Sequence, residues 1–528
     1  MSKRLLFVIV LLFLSLYNGK TEKAFYPEPT FFTQDDHFFL HTIERGQTVY
    51  SISLMYGVSV EDVYRLNPES RKGIRAGDIL KIPQESSSYL YHTIQPQETL
   101  YGLSQTYHMK GEDIIAANPG LSVATFTIGK IVRIPTNLVT SPMKGGNEAA
   151  NSSHTNSLLS QASPSREVNT IKIALLLPFG TEDTTVQKTV QNQVVEYYEG
   201  VLLALGNLKK ERIAINLQAY DIGSDTKKIP ALLKGKEMKD IDLLIGGLSD
   251  DQIKLLSRFA KENSIPYVIP FTSSNEPLNN PDVYMINTPQ SYLYSKASLA
   301  FINKYGNDGA IIFVSDETGT SNKKEFTDLL KQDLQDKNIS YKTVALGTNS
   351  YNDVTALLNR NQMNVVVPSD DSPETLSRLI PLLESIIENQ PDVSMSLFGY
   401  PKWQSQSARY SSDFFRLNTT FYTLFYADPT SQDIRDFYSI FYKWYTRVLD
   451  NSFFPKFGIL GYDMGMYFIR LIHTYGSPFY SHINDLKYKG VQTDFHFERI
   501  NNWGGFINTN MYLVNYNPDY SITKTLIK

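Results

Sequence analysis

The apolar and polar positions between residues 41 and 135 follow one pattern twice. His41-Thr42-Ile43 recurs as His92-Thr93-Ile94, and Asn67-Pro68 recurs as Asn118-Pro119, each at an offset of 51 residues. A constant offset held across unrelated residue types indicates an internal repeat. The sequence therefore predicts two copies of one small module, over residues 41–84 and 91–136.

The pattern inside one copy predicts a strand, two helices and a second strand. Val49, Ile52 and Tyr56 are spaced by three and four residues, which places them on one face of a short helix. Ser59 stands three residues before an aspartate, as at the start of a second helix. An apolar run that ends in Pro83 reads as the closing strand.

These modules resemble the LysM family in several short motifs. The threonine turn before the first helix, the Asn-Pro pair in the middle, a glycine before the last strand (Gly77, Gly129) and a final Ile-Pro carry the resemblance. The resemblance implies a βααβ fold that binds N-acetylglucosamine-containing glycans, above all peptidoglycan, in a groove between two loops. The residues that it assigns to the groove are Gly46, Gln47, Thr48, Val49, Asn67, Pro68 and Ile74 in the first copy, and Gln97, Glu98, Thr99, Leu100, Asn118, Pro119, Gly120 and Leu121 in the second.

A purely structural interpretation of the same residues stays open. Thr48, Thr99, Asn67 and Asn118 are residue types that cap helices and fix turns. Between residues 41 and 83 there are six Lys or Arg against five Asp or Glu, so electrostatic attraction is not what would hold a ligand there. A neutral glycan agrees with that balance.

From residue 171 to residue 528 the pattern changes to short apolar strands that alternate with amphipathic helices. Continuous apolar runs such as Ile171–Leu177 and Val365–Val367 are typical of strands that are buried on both faces. Alternation of this kind predicts parallel sheets built from βαβ units. The segment is long for one sheet, so we expect two lobes.

Short motifs in this segment resemble the type I periplasmic binding proteins of the branched-chain amino-acid receptor kind, to which penicillin-binding-protein activators are related. They include Leu176-Leu177-Pro178-Phe179, Ile245-Gly246-Gly247-Leu248-Ser249 and Gly461-Tyr462-Asp463. The resemblance implies two Rossmann-like lobes with a ligand cleft at the carboxyl ends of the strands. The candidate cleft residues are Phe179, Leu248, Ser249, Thr272, Ser273, Asp316, Ser369, Tyr400 and Trp403.

One loop of this segment departs from the pattern of an amino-acid receptor. The loop Ser249-Asp250-Asp251-Gln252 reads as a capping box with acids in the first helical turn, which would repel a ligand carboxylate. Tyr400 and Trp403 stand at a predicted strand end and either stack on a ligand or pack in the core. A later stripe is read as core or as a protein-binding face, and consists of Ile434, Phe437, Tyr438, Phe441, Trp444, Tyr445 and Val448.

Composition excludes several classes of function. The chain of 528 residues has no cysteine, so disulfides, thiol nucleophiles and thiolate metal sites are absent. A net charge of −4 with no basic stripe gives no case for nucleic acid. No zinc, serine-hydrolase or Walker motif is present, so we expect no catalysis, no metal and no cofactor.

The first residues predict export. Lys3 and Arg4 precede an apolar run from Leu5 to Tyr17, which fits the hydrophobic region of a signal peptide over residues 1–24. An uncleaved N-terminal anchor is the alternative, and no other membrane span is expected. Residues 137–170 are rich in Ser, Thr, Asn and Gly and read as a flexible linker.

The sequence thus predicts an exported protein of the periplasm or cell envelope, in which two modules bind peptidoglycan and a tethered two-lobed domain recognises something else. That domain is read first as a regulatory interaction module for an envelope protein such as a wall synthase. The alternative is a receptor for an amino acid, a peptide or a muropeptide in a transport or sensing system. A wall-modifying enzyme is a distant third interpretation.

Overall fold

The computed structural model describes residues 38–43, 47–75, 77–83, 89–95, 98–121, 126–127, 129–135, 170–180, 185–272, 276–316, 321–450, 452–477, 479–501 and 503–527. The predicted leader (1–24) and residues 137–169 of the predicted linker lie outside these ranges.

Each of the two small modules has the predicted βααβ order. The first consists of β1 (Phe38–Thr42), α1 (Val49–Tyr56), α2 (Val60–Leu66) and β2 (Ile79–Pro83), and the second of β3 (Tyr89–Thr93), α3 (Leu100–Thr106), α4 (Gly111–Ala117) and β4 (Ile131–Pro135). In both modules the two strands pair antiparallel, with Phe38 opposite Pro83 and Tyr89 opposite Pro135. The helices cover one face of this ribbon, which supplies the hydrophobic surface that two strands alone lack.

The remainder of the chain forms two lobes, each built on a seven-stranded, mainly parallel sheet. The first-lobe sheet has the order β15-β16-β9-β8-β7-β5-β6 and the second-lobe sheet the order β11-β10-β12-β13-β14-β17-β18. The strands are β5 (Ile171–Leu177), β6 (Ile215–Asp221), β7 (Leu243–Gly246), β8 (Tyr267–Ile269), β9 (Val283–Met285), β10 (Gly309–Asp316), β11 (Tyr341–Leu346), β12 (Met363–Pro368), β13 (Met395–Gly399), β14 (Thr420–Thr423), β15 (Phe497–Arg499), β16 (Phe506–Asn508), β17 (Met511–Tyr516) and β18 (Ile522–Ile527).

Helices connect and cover these strands. They are α5 (Thr185–Lys210), α6 (Ile229–Leu233), α7 (Asp250–Asn263), α8 (Tyr294–Tyr305), α9 (Lys324–Asp336), α10 (Ser350–Thr355), α11 (Pro373–Asn389), α12 (Ser407–Arg416), α13 (Gln432–Tyr445) and α14 (Phe457–Tyr475). Short 3₁₀ turns follow several strands, among them Gln290–Tyr292 and Pro401–Gln406. The chain passes between the lobes three times, after β9, after β14 and after β16.

The two-lobed fold predicted from apolar runs is confirmed. The predicted strand Ile171–Leu177 has the observed bounds, and the run Val365–Val367 lies inside β12. Every residue of β5 except Lys172 is buried, because helices cover both faces of a parallel sheet.

Helix α14 returns to the first lobe and packs along α5 through glycines. A Cβ atom at Gly200 would lie 1.8 Å from the carbonyl oxygen of Gly458, and one at Gly461 would lie 2.0 Å from the carbonyl oxygen of Tyr197. The two backbones therefore approach closer than any side chain allows. This contact fixes the segment between β14 and β15 onto the first lobe.

The aromatic stripe near α13 is divided between core and surface. Ile434, Phe437 and Phe441 are buried against α5 and α14, as the core interpretation predicts. Trp444 is 70% exposed, and Val448, which lies beyond the end of the helix, is 69% exposed. The core interpretation therefore holds for the buried residues of the stripe and is wrong for Trp444 and Val448.

Candidate glycan-binding modules and ligand cleft

A histidine holds the first loop of each small module. His41 Nδ1 lies 2.8 Å from the Tyr56 hydroxyl, and its Nε2 lies 2.7 Å from Oε1 of Gln47. The two partners of His41, Gln47 and Tyr56, correspond to Glu98 and Tyr107 at the offset of 51 residues.

In the second module the equivalent histidine, His92, also joins a tyrosine to the first loop, and its loop partner is a carboxylate instead of an amide. His92 Nδ1 lies 2.9 Å from the Tyr107 hydroxyl, and its Nε2 lies 2.7 Å from Oε2 of Glu98. Burial, and then the charge of Glu98, raises the pKa of Tyr107 to about 12. Sequence reasoning missed this bridge, although its signal was the shared offset of His, Tyr and the Gln or Glu.

The threonines before the first helices act as caps. Thr48 Oγ1 accepts a hydrogen bond from the backbone N–H of Ser51 at 3.0 Å, and Thr99 Oγ1 accepts one from Gly102 at 3.0 Å. These contacts satisfy backbone donors that the helix leaves open. Thr99 is exposed and Thr48 is half-buried, so both stay at the module surface while they cap.

The asparagines of the Asn-Pro pairs connect the second helix to the closing strand by side-chain hydrogen bonds. Asn67 donates to the carbonyl oxygens of Val63 and Lys81, at 2.8 Å each, and accepts from Lys81 N–H at 2.9 Å. Asn118 makes the matching contacts with Ile114 and Arg133, and its side chain is fully buried.

The assignment of Asn118 to a glycan contact is therefore wrong for its side chain, which lies inside the module and not on the groove. The structural interpretation explains it fully. The side chains of Val49, Leu100 and Leu121 are also buried in the module cores, so the groove assignment is wrong for these side chains too.

The accessible part of the proposed grooves is smaller than the sequence suggested. Pro68, Thr99 and Pro119 are exposed, while Gln47, Thr48, Ile74, Glu98 and Gly120 are half-buried. Gly46 and Gln97 lie outside the described residues.

Several groups at the expected cleft of the two-lobed domain already interact with other parts of the protein. Ser249 caps α7 and forms a capping box with Gln252, as predicted. Asp316 forms an ion pair with Arg378. Phe179 is half-buried and its backbone N–H donates to Asp221 at 2.9 Å.

Tyr400 and Trp403 are fully buried and do not face an accessible cleft. The Tyr400 hydroxyl donates to the carbonyl oxygen of Pro368 at 2.5 Å, and the Trp403 indole donates to that of Asp371 at 3.2 Å. Their rings pack edge to face at 5.9 Å. The ligand-stacking interpretation of this pair is wrong, because their polar atoms and faces are used by the core.

The other cleft candidates lie in different settings. Ser369 is buried, and its hydroxyl has no hydrogen-bond partner among the described residues. Leu248 and Thr272 are half-buried, and Ser273 lies outside the described residues. Among the residues that the structure describes, the candidate hydroxyls therefore do not form an accessible cluster that could bind a ligand carboxylate.

A cavity of about 660 Å³ lies elsewhere, between the carboxyl end of β14 and the segment that leads to α14. Aromatic side chains dominate its lining, among them Phe425, Tyr426 and Phe454, and Lys456 and Gln492 add polar groups. Burial lowers the pKa of Lys456, although Asp450 and Glu196 oppose the shift. Sequence reasoning missed this cavity because its residues come from five separated segments.

Neither membrane spans nor metal sites occur in the described part of the chain. No helix there is long and apolar enough to cross a bilayer. No group of three or more His, Asp or Glu side chains is placed there to hold a metal ion.

Comparison with known proteins defines the class of each part. Residues 41–83 and 92–135 match the LysM domain, and residues 207–452 match the receptor family ligand binding region. Two short parts of the chain are therefore similar to the LysM domain, and the part that follows them is similar to the ligand binding region of the receptor family.

Individual relatives are similar over parts of the chain. The "Putative sporulation-specific glycosylase YdhD" of Bacillus subtilis is 33% identical over 97 residues, 18% of this chain, and the match spans only 22% of that protein's length. An ABC transporter substrate-binding protein from Sphaerobacter thermophilus is similar in structure at 11% identity and a TM-score of 0.44, over 68% of this chain and 97% of that one. A substrate-binding protein from Desulfitobacterium hafniense in complex with Leu gives 13% identity and a TM-score of 0.41, over 67% and 99%.

Proposed function

We propose that this protein is an exported, non-catalytic component of the cell envelope whose LysM pair binds peptidoglycan. The observation that carries the proposal is the match of both modules to the LysM domain, with the same histidine bridge to the first loop in each. Pro68 and Pro119, which carry no charge, are exposed in the segments that follow the second helix of each module.

For the two-lobed domain we infer an interaction role in the envelope, with a wall synthase as the kind of partner. Support comes from the expected cleft, whose candidate residues already have structural roles. Ser249 caps a helix, Asp316 forms an ion pair with Arg378, and Trp403 is buried. A second observation is the exposed apolar group on and after α13, with Ile440, Tyr442, Trp444 and Val448. Scattered exposed apolar residues are ordinary, but four on one short segment suit a protein contact.

A small-molecule receptor is the second candidate, and the cavity lined by Phe425, Tyr426 and Lys456 favours it. Its volume of about 660 Å³ falls within the range of roughly 300–1,000 Å³ that ligand pockets occupy. Aromatic walls with few polar groups would suit a ligand with an apolar ring. The cavity lies in the same domain as the proposed interaction face, so the two candidates need separate tests.

Glycan binding is tested by sedimentation of the full chain with insoluble peptidoglycan. The double variant Pro68→Asp/Pro119→Asp places a hydrated charge on both exposed turns, and we expect it to reduce the pelleted fraction at least fivefold. Pro391→Asp is the matched control, because Pro391 is an exposed turn residue of the second lobe. Equal pelleting of the double variant and the control contradicts the groove assignment.

The two candidates for the two-lobed domain are separated by thermal unfolding of the full chain with amino acids, peptides and muropeptides. A ligand that binds only the folded state stabilises it by roughly 2.7 kcal/mol at a hundredfold excess over its Kd. A raised Tm with one class of solute supports the receptor. No shift with any solute supports the interaction role.

A further inference from the structure

The first module lies against both lobes of the two-lobed domain. On the first-lobe side it meets Trp503, in the turn between β15 and β16. On the second-lobe side, Thr48 at the start of α1 is hydrogen-bonded to the side chain of Glu325, at the start of α9. Ser295 of α8, the first helix of the second lobe, lines the same small pocket as Met55 of α1. One small module therefore touches two lobes that are connected by three crossing segments.

The contact with the first lobe is buried and aromatic. Trp503 belongs to one buried cluster with Phe39 and Tyr56 of the first module and Tyr91 of the second. The rings of Trp503 and Tyr91 lie 5.8 Å apart, those of Tyr91 and Tyr56 lie 4.7 Å apart, and the Tyr91 hydroxyl donates to the Tyr56 carbonyl oxygen at 3.0 Å. Buried aromatic side chains dominate the energetics of such contacts. Release of this contact would expose the whole cluster to water, so it is the stronger of the two attachments.

The contact with the second lobe is polar and small. Thr48 Oγ1 accepts a hydrogen bond from the backbone N–H of Ser51, and the hydroxyl therefore uses its one hydrogen to donate to Glu325. Glu325 is exposed to solvent. A hydrogen bond beside water is exchanged for one with water at a small net cost. The attachment to the second lobe is therefore the one that opens more easily.

The second lobe covers one wall of the proposed glycan groove of the first module. That wall is the first loop, with Gln47 and Thr48. Gln47 faces a pocket of about 220 Å³, which Met55 and Ser295 also line. Ligand pockets occupy roughly 300 Å³ or more, so a glycan strand does not fit between this loop and the second lobe. The first module therefore cannot hold a strand against this wall while it is docked on the second lobe.

The second module is covered differently. Its Thr99, equivalent to Thr48, is exposed, and so are Gly102 and Thr106 on the same helix. It meets the two-lobed domain through Arg133 of β4, whose guanidinium lies 4.7 Å from the Trp503 ring. The second module therefore keeps its threonine accessible in the arrangement that covers the first.

We propose that the first module is a brace between the lobes, which stays on the first lobe through Trp503 and leaves Glu325 of the second lobe when a glycan strand enters its groove. The proposal rests on the proposed glycan function of the modules and adds a consequence for the two-lobed domain. Glycan and the second lobe compete for the loop at Thr48, and such coupling is reciprocal: glycan favours a released second lobe, and a released second lobe favours glycan. Attachment to the wall thus changes the arrangement of the lobes.

Spin-label distances between the lobes test the brace in the full chain. The chain has no cysteine, so nitroxides attach only at Asn263→Cys and Asp336→Cys, which are exposed at the ends of α7 and α9. We expect Glu325→Ala to broaden or shift the distance distribution in pulsed electron paramagnetic resonance. Glu325→Gln keeps an acceptor for Thr48 and should give the wild-type distribution. Asp328→Ala, which removes another exposed acid of α9, is the matched control and should leave the distribution unchanged.

Glycan should have the same effect as the loss of Glu325. Saturating chitohexaose, a neutral oligomer of N-acetylglucosamine, is expected to give the wild type the distance distribution of Glu325→Ala. In titration calorimetry, Glu325→Ala should bind chitohexaose about three- to tenfold more tightly at its weaker class of site, the factor that one hydrogen bond of ordinary strength supplies. The gain arises because docking no longer reduces the fraction of molecules that can bind.

The outcomes separate the brace from the function on which it rests. If the wild type binds chitohexaose and its lobe distance stays unchanged, the brace is overturned and the glycan function stands. If the wild type does not bind chitohexaose, both are overturned. A Glu325→Ala variant with the wild-type lobe distance and the wild-type glycan affinity also overturns the brace.

Discussion

Asn118 binds both backbone polar atoms of Arg133: its amide donates to the Arg133 carbonyl oxygen at 2.7 Å, and its own carbonyl accepts from the Arg133 N–H at 2.9 Å. The amide also donates to the carbonyl oxygen of Ile114, in the last turn of α4. One side chain thus joins the second helix to the closing strand in the second module. Asn67 repeats the arrangement with Lys81 in the first module, in a more exposed position.

Asn118→Ala is expected to destabilise the second module by about 2–4 kcal/mol, because each buried backbone group that loses its partner costs roughly 1–3 kcal/mol. Asn67→Ala should cost less, since water replaces part of the lost contacts. Denaturant unfolding followed by circular dichroism measures both. Equal midpoints for Asn118→Ala and the wild type would contradict this connection.

The close packing of α5 on α14 gives a second prediction. Gly200→Ala places a methyl group 1.8 Å from the carbonyl oxygen of Gly458, so the helices must separate, and we expect a loss of about 3 kcal/mol or more. Gly206 lies on the same helix with no atom within 4 Å of an added Cβ. Gly206→Ala should therefore be neutral or stabilising by up to about 1 kcal/mol. Similar thermal midpoints for the two variants would show that the close approach of α5 and α14 at Gly200 does not limit side-chain size there.

Trp503 connects the two-lobed domain with the LysM modules. It is 1% exposed, its ring lies 5.8 Å from that of Tyr91, and the Arg133 guanidinium lies 4.7 Å from its ring. Burial lowers the pKa of Arg133 to about 10, so the guanidinium stays charged at neutral pH. The contact combines an aromatic pair with a cation–π interaction.

Trp503→Ala should release the modules from the two-lobed domain, which small-angle scattering would record as a larger radius of gyration. Trp444→Ala removes a residue of the same type that is 70% exposed, and should change neither the radius nor the stability by more than about 0.5 kcal/mol. An unchanged radius for Trp503→Ala would refute the docking role.

Asp463 provides a pH-dependent prediction. Its carboxylate is fully buried and accepts three backbone N–H groups, from Val491, Gln492 and Thr493, and the Tyr488 hydroxyl. Burial raises its pKa from 3.8 to about 6, although the four hydrogen bonds oppose the shift. The folded state therefore holds this proton more tightly than the unfolded state does.

Because the pKa is raised on folding, the stabilisation from proton uptake is fully present below about pH 3.8 and is lost as pH rises to about 6. Asp463→Asn removes this titration and is less stable at every pH, since an amide nitrogen cannot accept the backbone donors. The difference in unfolding free energy between wild type and variant should grow in favour of the wild type from pH 6.5 to pH 4.5. A difference that is constant over this range would contradict the assigned pKa.

Local rules predicted much of this fold. The repeat at an offset of 51 gave both βααβ modules, and the continuous apolar run at Ile171–Leu177 gave a strand with the observed bounds. The spacing of Ser249 and Gln252 gave a capping box that the structure contains. These features depend on neighbours within a few residues, which is the range over which sequence patterns are informative.

Features that depend on distant contacts were not predictable in the same way. Tyr400 can be buried because its hydroxyl donates to the carbonyl oxygen of Pro368. Trp503 packs against Tyr91, and the two residues are more than 400 positions apart in the sequence. The pocket beside Met55 is formed by segments that only the tertiary fold brings together. Asn118 was assigned to a groove because its residue type suits both a ligand contact and a turn, and only its full burial decides between them.

Under the proposed function, the protein holds peptidoglycan through contacts with neutral sugar. The most direct measurement is release of the full chain from insoluble peptidoglycan by two competing washes, chitohexaose at low salt and 1 M sodium chloride without sugar. We expect release by chitohexaose and retention in 1 M sodium chloride, because high ionic strength screens exposed charges and leaves neutral contacts in place. Release by salt together with retention in chitohexaose would contradict it.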